Sequence, residues 1–383
     1  MEGIEAYRDQ FPITERRNYL ISASLGPLSR RAHDATLEHL ELWSRLGPEE
    51  LWFDHGMPKL QLCRERFAAL IGADAEEIAI VPSVSNGLAS IASCLDYSER
   101  PKVVATAMDF PTNHYVWKAQ APRGVELDVV PTPDGIRIEP PDVVARIDER
   151  TALVNVNRVL FESSWILDLP PIVETAHRNG AYVMVDDFHG TGVLPLDVHG
   201  LGVDLLLSGA LKWLCGGQGI AFLYCRRDLL PKMHPMIVGW FGTKEPFDFD
   251  RSRLDLRDDA RRFETGTSTL PQAWTAAEGM GILLEVGVEN VRARNQVLTH
   301  RIVERANERG MELLSPEDDS QRGGLVRVRV PGGRAKAEAA LHALLARDVV
   351  LDQRHDALRI SPHFFNTEDE IDSCFKELDS VLG

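Results

Sequence analysis

Between about residues 65 and 225, seven short apolar runs alternate with stretches of helical periodicity, and this alternation most restricts the fold. The runs are Ala79–Val81, Lys102–Ala105, Leu127–Val130, Ala152–Val156, Tyr182–Val185, Val203–Leu207 and Ile220–Tyr224. Each is rich in Val, Ile or Leu and bounded by Gly, Pro or polar residues, as strands covered on both faces are. Such strands joined by helices predict an α/β architecture with a large, mostly parallel seven-stranded sheet. Pro170–Asn179 reads as a helix ended by Gly180, whose backbone freedom suits the position just past a helix. That helix feeds the chain into Tyr182–Val185.

At 383 residues the chain exceeds what one core usually serves, so two domains are expected. Residues 16–265 read as the large sheet domain, and residues 1–15 with 270–383 as a small α+β domain. Trp240–Arg261, rich in aromatic and charged residues, reads as an excursion without regular structure. Leu270–Arg309 has the periodicity of a long interdomain helix that its glycines could bend or break. Beyond it come strand Leu325–Val330, helix Ala335–Ala346, strands near Val349–Leu351 and Leu358–Ile360, and a last helix from Glu368. The cleft between the two domains is the expected site.

Composition excludes several classes of function. A hydrophobic share of 44% with 26% charged residues is that of an ordinary globular protein. A net charge of −16, with no basic run, argues against a nucleic-acid partner. Cys63, Cys94, Cys215, Cys225 and Cys374 lack C-x-x-C spacing, so they read as reduced thiols, neither a disulfide frame nor a metal site. The start, MEGIEAYRDQFP, has no apolar core of a secretory signal, and no run of about 18 apolar residues offers a membrane span. Cytoplasmic residence is the expectation.

In open α/β sheets, ligands bind beyond the carboxyl ends of the strands. Tyr182–Val185 runs into Asp186, Asp187, Phe188 and His189, and Val203–Leu207 is followed by Ser208, Gly209, Ala210, Leu211 and Lys212. A lysine flanked by Leu211, Trp213 and Leu214 is partly desolvated, which favours its nucleophilic amine. Alone, such a lysine is more often structural. Pyridoxal 5′-phosphate (PLP) needs four things: an amine for its aldehyde, a carboxylate for its ring nitrogen, a flat group against the ring, and a phosphate cradle. Strand ends here supply Lys212, Asp186, Phe110 in MDFPTN, and Ser83–Asn86 in VPSVSNG at the start of a helix.

With Asp186-Asp187-Phe188-His189 followed by Lys212 in LKWLCGGQGIAFLY, the chain resembles the aminotransferase class-V group of fold-type-I PLP enzymes. Kynureninases, cysteine desulfurases and isopenicillin-N-epimerase-like proteins belong to that group. YLISASLGPL, FPTN, GWFG, RFETGT and LRISPHFFNT extend the likeness over nearly the whole chain, and FPTN and GWFG lean towards the kynureninase-like branch. The resemblance implies an aldimine at Lys212, which also moves protons at Cα. It implies that Asp186 pairs with the pyridinium, His189 lies near O3′ and Phe110 stacks on the ring. It gives Val84 and Ser85 to the phosphate with Trp240 nearby, puts Asn157 beside the cofactor, and has Gly266 and Thr267 reach a neighbouring subunit's cofactor in a homodimer. Arg359 resembles the arginine that forks onto the substrate α-carboxylate. Ser24 and His355 fall in segments flanking the substrate, where a swinging loop could bring His355 over it.

Departures from the pattern narrow the chemistry. Leu211 stands where kynureninases carry Tyr and many desulfurases His, and Gly266 replaces an asparagine of animal kynureninases. The loop Leu351–Asp356 lacks the nucleophilic cysteine of desulfurases. The leading expectation is a β-eliminating carbon–sulfur lyase acting on a cysteine-derived or other β-substituted amino acid. The alternatives, in order, are an aminotransferase or oxidatively deaminating enzyme, a kynureninase-type hydrolase or epimerase, and a PLP fold that has lost catalysis.

Overall fold

All seven apolar runs form strands, side by side in one sheet. The computed structural model describes residues 3–382, so Met1, Glu2 and Gly383, assigned to the small domain, lie outside the described residues. In chain order the strands are β1 (Asn18–Tyr19), β2 (Ile78–Val81), β3 (Lys102–Thr106), β4 (Glu126–Val130), β5 (Thr151–Asn157), β6 (Tyr182–Asp186), β7 (Leu205–Gly209) and β8 (Ala221–Cys225). They continue with β9 (Val326–Arg329), β10 (Val349–Val350), β11 (Asp352–Arg354) and β12 (Ala357–Ile360).

The large sheet has the order β2-β8-β7-β6-β5-β3-β4, and β8 alone runs opposite to the other six strands. Its inner strands β3, β5 and β7 are buried along their whole length, because helices cover both faces. The chain steps outward from β3 to β4, then returns to lay β5 on the other side of β3. The carboxyl ends of β3 and β5 therefore flank a crevice, the place where such sheets bind ligands.

One strand is displaced from its expected position. The run Val203–Leu207 pairs as Leu205–Gly209, because the buried Asp204 carboxylate accepts the Val183 amide at 2.7 Å and forms an ion pair with an Arg226 nitrogen 2.6 Å away. Ser208 and Gly209 then extend the ladder opposite Phe222 and Ala221, which brings the strand closer to Lys212.

The helix expected over Leu270–Arg309 is two helices, Leu270–Val286 and Val288–Glu308, parted at Gly287 with φ 82°. Gly279 and Gly281 do not break the first of them. A Cβ at Gly279 would strike the carbonyls of Leu214 and Cys215, so its absence lets this helix back directly onto the lysine loop. Trp240–Arg261 holds only short 3₁₀ turns and one bridge, Thr243 to Leu256.

The second sheet, β11-β12-β9, is antiparallel and sets Asp352, Arg359 and Arg327 side by side across its three strands. Helices Val288–Glu308, Arg334–Leu345 and Glu368–Leu382 pack around it on a separate apolar core that includes Ile302, Leu344, Leu358 and Phe375. β1 pairs with β10, and Ser22 and Leu20 bond to Ser361, so the N-terminal segment is stitched to this sheet before it enters the crevice.

Candidate active site

A cavity of about 310 Å³ opens where the carboxyl ends of the large sheet meet the small one. Each wall has a local cause. β6 ends in Asp186, whose carboxylate is buried and accepts the Phe188 amide at 3.1 Å and the Asn113 side-chain amide at 3.3 Å. β5 ends in Asn157, whose oxygen accepts the same Asn113 nitrogen at 3.1 Å. Helix Val84–Cys94 begins at the rim with Ser83 as its N-cap, where the first N–H groups have no intrahelical acceptor. The N-terminal segment brings Ser24, and β12 brings Arg359.

Lys212 Nζ reaches into this cavity, 2.6 Å from His189 Nε2 and 4.0 Å from the centre of the Phe188 ring. Burial pushes its pKa down to about 7, which the nearby Asp186 partly opposes and Arg359 and Arg354 reinforce. The amine is therefore substantially neutral near neutral pH. Burial, then the Lys212 charge, holds His189 well below its usual range, so its imidazole is neutral. Asp186 is pushed up by burial, with the Phe188 amide and Lys212 pulling the other way.

Phe110 lines the cavity as Phe188 does and packs edge-on against Phe161, ring centres 5.3 Å apart. Ser85 Oγ lies 3.2 Å from Thr112 Oγ1 beside the helix start. At the other end Arg359 is 2% exposed, and burial lowers its pKa to about 10 against the pull of Asp352.

The residues present fit PLP. Asn157 Nδ2, His189 Nδ1, and Nε and Nη2 of Arg359 are buried and have no protein partner, although buried polar groups are normally satisfied. Asp186 can accept a ring N–H. The Ser83–Ser85 turn can hold a phosphate through its amides and hydroxyls, as helix starts do. Phe110 can face a ring, and Lys212 can meet an aldehyde carbon.

Nine residues singled out from the sequence line this cavity: Ser24, Val84, Ser85, Phe110, Asn157, Asp186, His189, Lys212 and Arg359. Trp240 does not. It is exposed together with Phe247 and Phe249, all three packed around or near the buried Phe241. Gly266 and Thr267 are exposed outside the cavity. His355 turns the tight β11–β12 hairpin with φ 55°, so its side chain points to solvent, and Arg354 faces the cavity in its place.

Other members were not singled out in advance. Asp109 and Asn113 share the MDFPTN motif with Phe110, and Asp109 accepts the amides of Thr106 (2.6 Å) and Asn157 (3.1 Å). Burial raises the Asp109 pKa to about 7. Phe161 comes from an irregular segment with no periodic signal, and Asp352 and Arg354 become legible only through the hairpin register. Among the described residues no helix is long and apolar enough to cross a membrane, and no group of three or more His, Cys, Asp or Glu could hold a metal.

Comparison with known proteins gives one family and fold with several activities. The family model of aminotransferase class V matches residues 54–373. An uncharacterized aminotransferase, YcbU, of Bacillus subtilis (strain 168) is 33% identical over 98% of this chain and 97% of its own length. A kynureninase of Geobacillus thermodenitrificans is 29% identical over 84% of this chain and 79% of its own. Among solved structures, the cystine C–S lyase C-DES with its product cysteine persulfide superposes with TM-score 0.88 at 22% identity, covering 96% of this chain and 99% of that one. A variant of C-DES with glycine covalently linked to its PLP cofactor also gives 0.88, at 21% identity over 97% and 98%.

Proposed function

This chain belongs to the aminotransferase class-V family and is a PLP-dependent enzyme, and from that premise we propose that it is a β-eliminating carbon–sulfur lyase for a cysteine-derived or other β-substituted amino acid. The observation that carries the reading is what stands around Lys212. Burial brings its amine's pKa down to about 7, so a large share of it is unprotonated at neutral pH, and no thiol lines the cavity. Cys63, Cys215, Cys225 and Cys374 are buried, and burial holds each thiol above its ordinary range. Cys94 lies in helix Val84–Cys94, and burial pushes its pKa up to about 12. Leu211, the neighbour of Lys212, offers no proton.

A reaction that needs a protein thiolate, or a donor at position 211, is poorly served by such a site. A reaction that needs one base at Cα is well served. In this reading Asp186, Phe110 and the Ser83–Ser85 turn hold PLP, which when bound supplies an electron sink for charge developing at Cα. Arg359 seats the α-carboxylate, a task suited to the planar guanidinium fork. Lys212 Nζ removes the Cα proton, and His189, 2.6 Å away, keeps the amine directed into the cavity. The substituent on Cβ then leaves with its electron pair.

The 33% identity to an aminotransferase favours transamination as the second reading, which uses the same lysine. The two are separated by incubating the holoenzyme with S-methyl-L-cysteine, free cysteine and kynurenine in parallel. The lyase reading expects pyruvate and ammonia from S-methylcysteine, formed faster than sulfide from cysteine or anthranilate from kynurenine. The cofactor converted stoichiometrically to its amine form, with no pyruvate, would install transamination instead.

We further propose a homodimer as the active unit. Val238, Trp240, Phe247, Phe249 and Leu254 form an exposed apolar face on the excursion and the residues just before it, a concentration a solvated monomer rarely leaves open. Light scattering is expected to give twice the 42.7 kDa chain mass. A fully active particle of a single chain mass would refute it.

A further inference from the structure

The free edge of Arg359 has a cause in the sequence. β11 and β12 pair so that Asp352 lies directly across from Arg359, and β9 places Arg327 on its other side. Arg327 is taken by Glu162 at 2.8 Å and makes no claim on Arg359. Asp352 is a hub: Oδ2 accepts Arg359 Nη1 at 2.9 Å and the Ser24 hydroxyl at 2.7 Å, while Oδ1 accepts Arg354 Nη1 at 2.7 Å and the Gln353 amide at 2.8 Å.

The carboxylate thus engages only the outer nitrogen of Arg359. Nε and Nη2, the two donors of one planar edge, are left buried with no protein partner. Buried donors are seldom left unmade, and this pair matches the two oxygens of a carboxylate. The same carboxylate sits between two guanidinium groups, Arg354 and Arg359, that would otherwise repel each other across the cavity end.

We propose that Asp352 is a positioning residue of the substrate site: by holding Nη1 of Arg359 it presents the Nε–Nη2 edge to the α-carboxylate of the amino acid. The assignment rests on the amino-acid reading of the cavity given above. It extends to Ser24 and Arg354, which the same carboxylate fixes at the cavity wall.

The test uses holoenzyme, wild type and the variants Asp352→Asn and Asp352→Ala, titrated with two probes while the cofactor absorbance is followed. One probe is S-methyl-L-cysteine. The other is 2-(methylthio)ethylamine, the same molecule without its carboxylate. Both variants are expected to bind S-methylcysteine more weakly, by roughly tenfold to a hundredfold, the scale of a charge-assisted hydrogen bond lost at the orienting group. Binding of the amine is expected to stay within about twofold of wild type, because the amine makes no use of the Arg359 edge. Equal weakening of both probes would mean that Asp352 only supports the fold and would overturn the assignment, as would unchanged binding of S-methylcysteine. A wild-type holoenzyme that bound neither probe would overturn the amino-acid reading together with it.

Discussion

Replacing Lys212 by methionine in the cofactor-free protein measures directly how unfavourably the cavity holds a charged amine. The folded environment lowers the lysine pKa from 10.5 to about 7. At about 1.4 kcal/mol per tenfold change in a proton equilibrium, that is a preference of about 5 kcal/mol for the neutral form. Lys212 faces the cavity and keeps a minor part of its area exposed, so cavity water takes up part of this cost and about 3 kcal/mol should remain. The unfolded chain keeps the lysine proton up to pH about 10.5, whereas the folded amine releases it near 7. Between these values the unfolded state binds the extra proton, so wild-type stability rises with pH across that window and falls as pH drops from its upper to its lower end. Methionine has similar reach and carries no proton. Urea unfolding of both apo-proteins at pH 7 should therefore show the Lys212→Met variant more stable by about 3 kcal/mol, with the gap shrinking to about 1 kcal/mol by pH 9.5. A variant no more stable than wild type at pH 7, or a gap that ignores pH, would refute the buried neutral amine.

Arg359→Ala is expected to retain PLP but to lose about 2–5 kcal/mol of amino-acid binding, read from the cofactor spectrum, because a partly desolvated bidentate pair disappears. Arg359→Lys should recover little of this, since an ammonium cannot present the planar edge; unchanged binding in the alanine variant would remove Arg359 from the site. Cys215→Ala should release pyruvate from S-methylcysteine at the wild-type rate, and loss of that activity would indicate a thiol-dependent reaction.

The large sheet was legible because its strands are covered on both faces, which writes them as unbroken apolar runs from Ala79 to Tyr224. Where a side chain takes a backbone partner, the periodicity misleads. Asp204 occupies the Val183 amide and moves its strand by two residues, from Val203–Leu207 to Leu205–Gly209. Site residues at or just beyond strand ends, Asp186, Phe110 and Lys212, were readable for the same topological reason that puts ligands there, whereas Asn157 came from the family resemblance. Asp352 and Arg354 were not, because their place depends on which residue turns the hairpin. A swinging loop that brings His355 over the substrate differs from the observed β11–β12 hairpin by a few backbone angles, and sequence patterns carry no record of those. Trp240, Gly266 and Thr267 lie outside the cavity, on surface that one chain leaves open.

The measurement that bears most directly on the account is borohydride reduction of the PLP-loaded enzyme followed by peptide mapping. Lys212 has an amine whose pKa burial lowers to about 7, with Asp186, Phe110 and the Ser83–Ser85 turn arranged around it. The reduced cofactor should therefore be found covalently on the peptide containing Lys212, and Lys212→Met should carry none. Recovery of the adduct on any other lysine, or an undiminished yield from the methionine variant, would contradict the assignment.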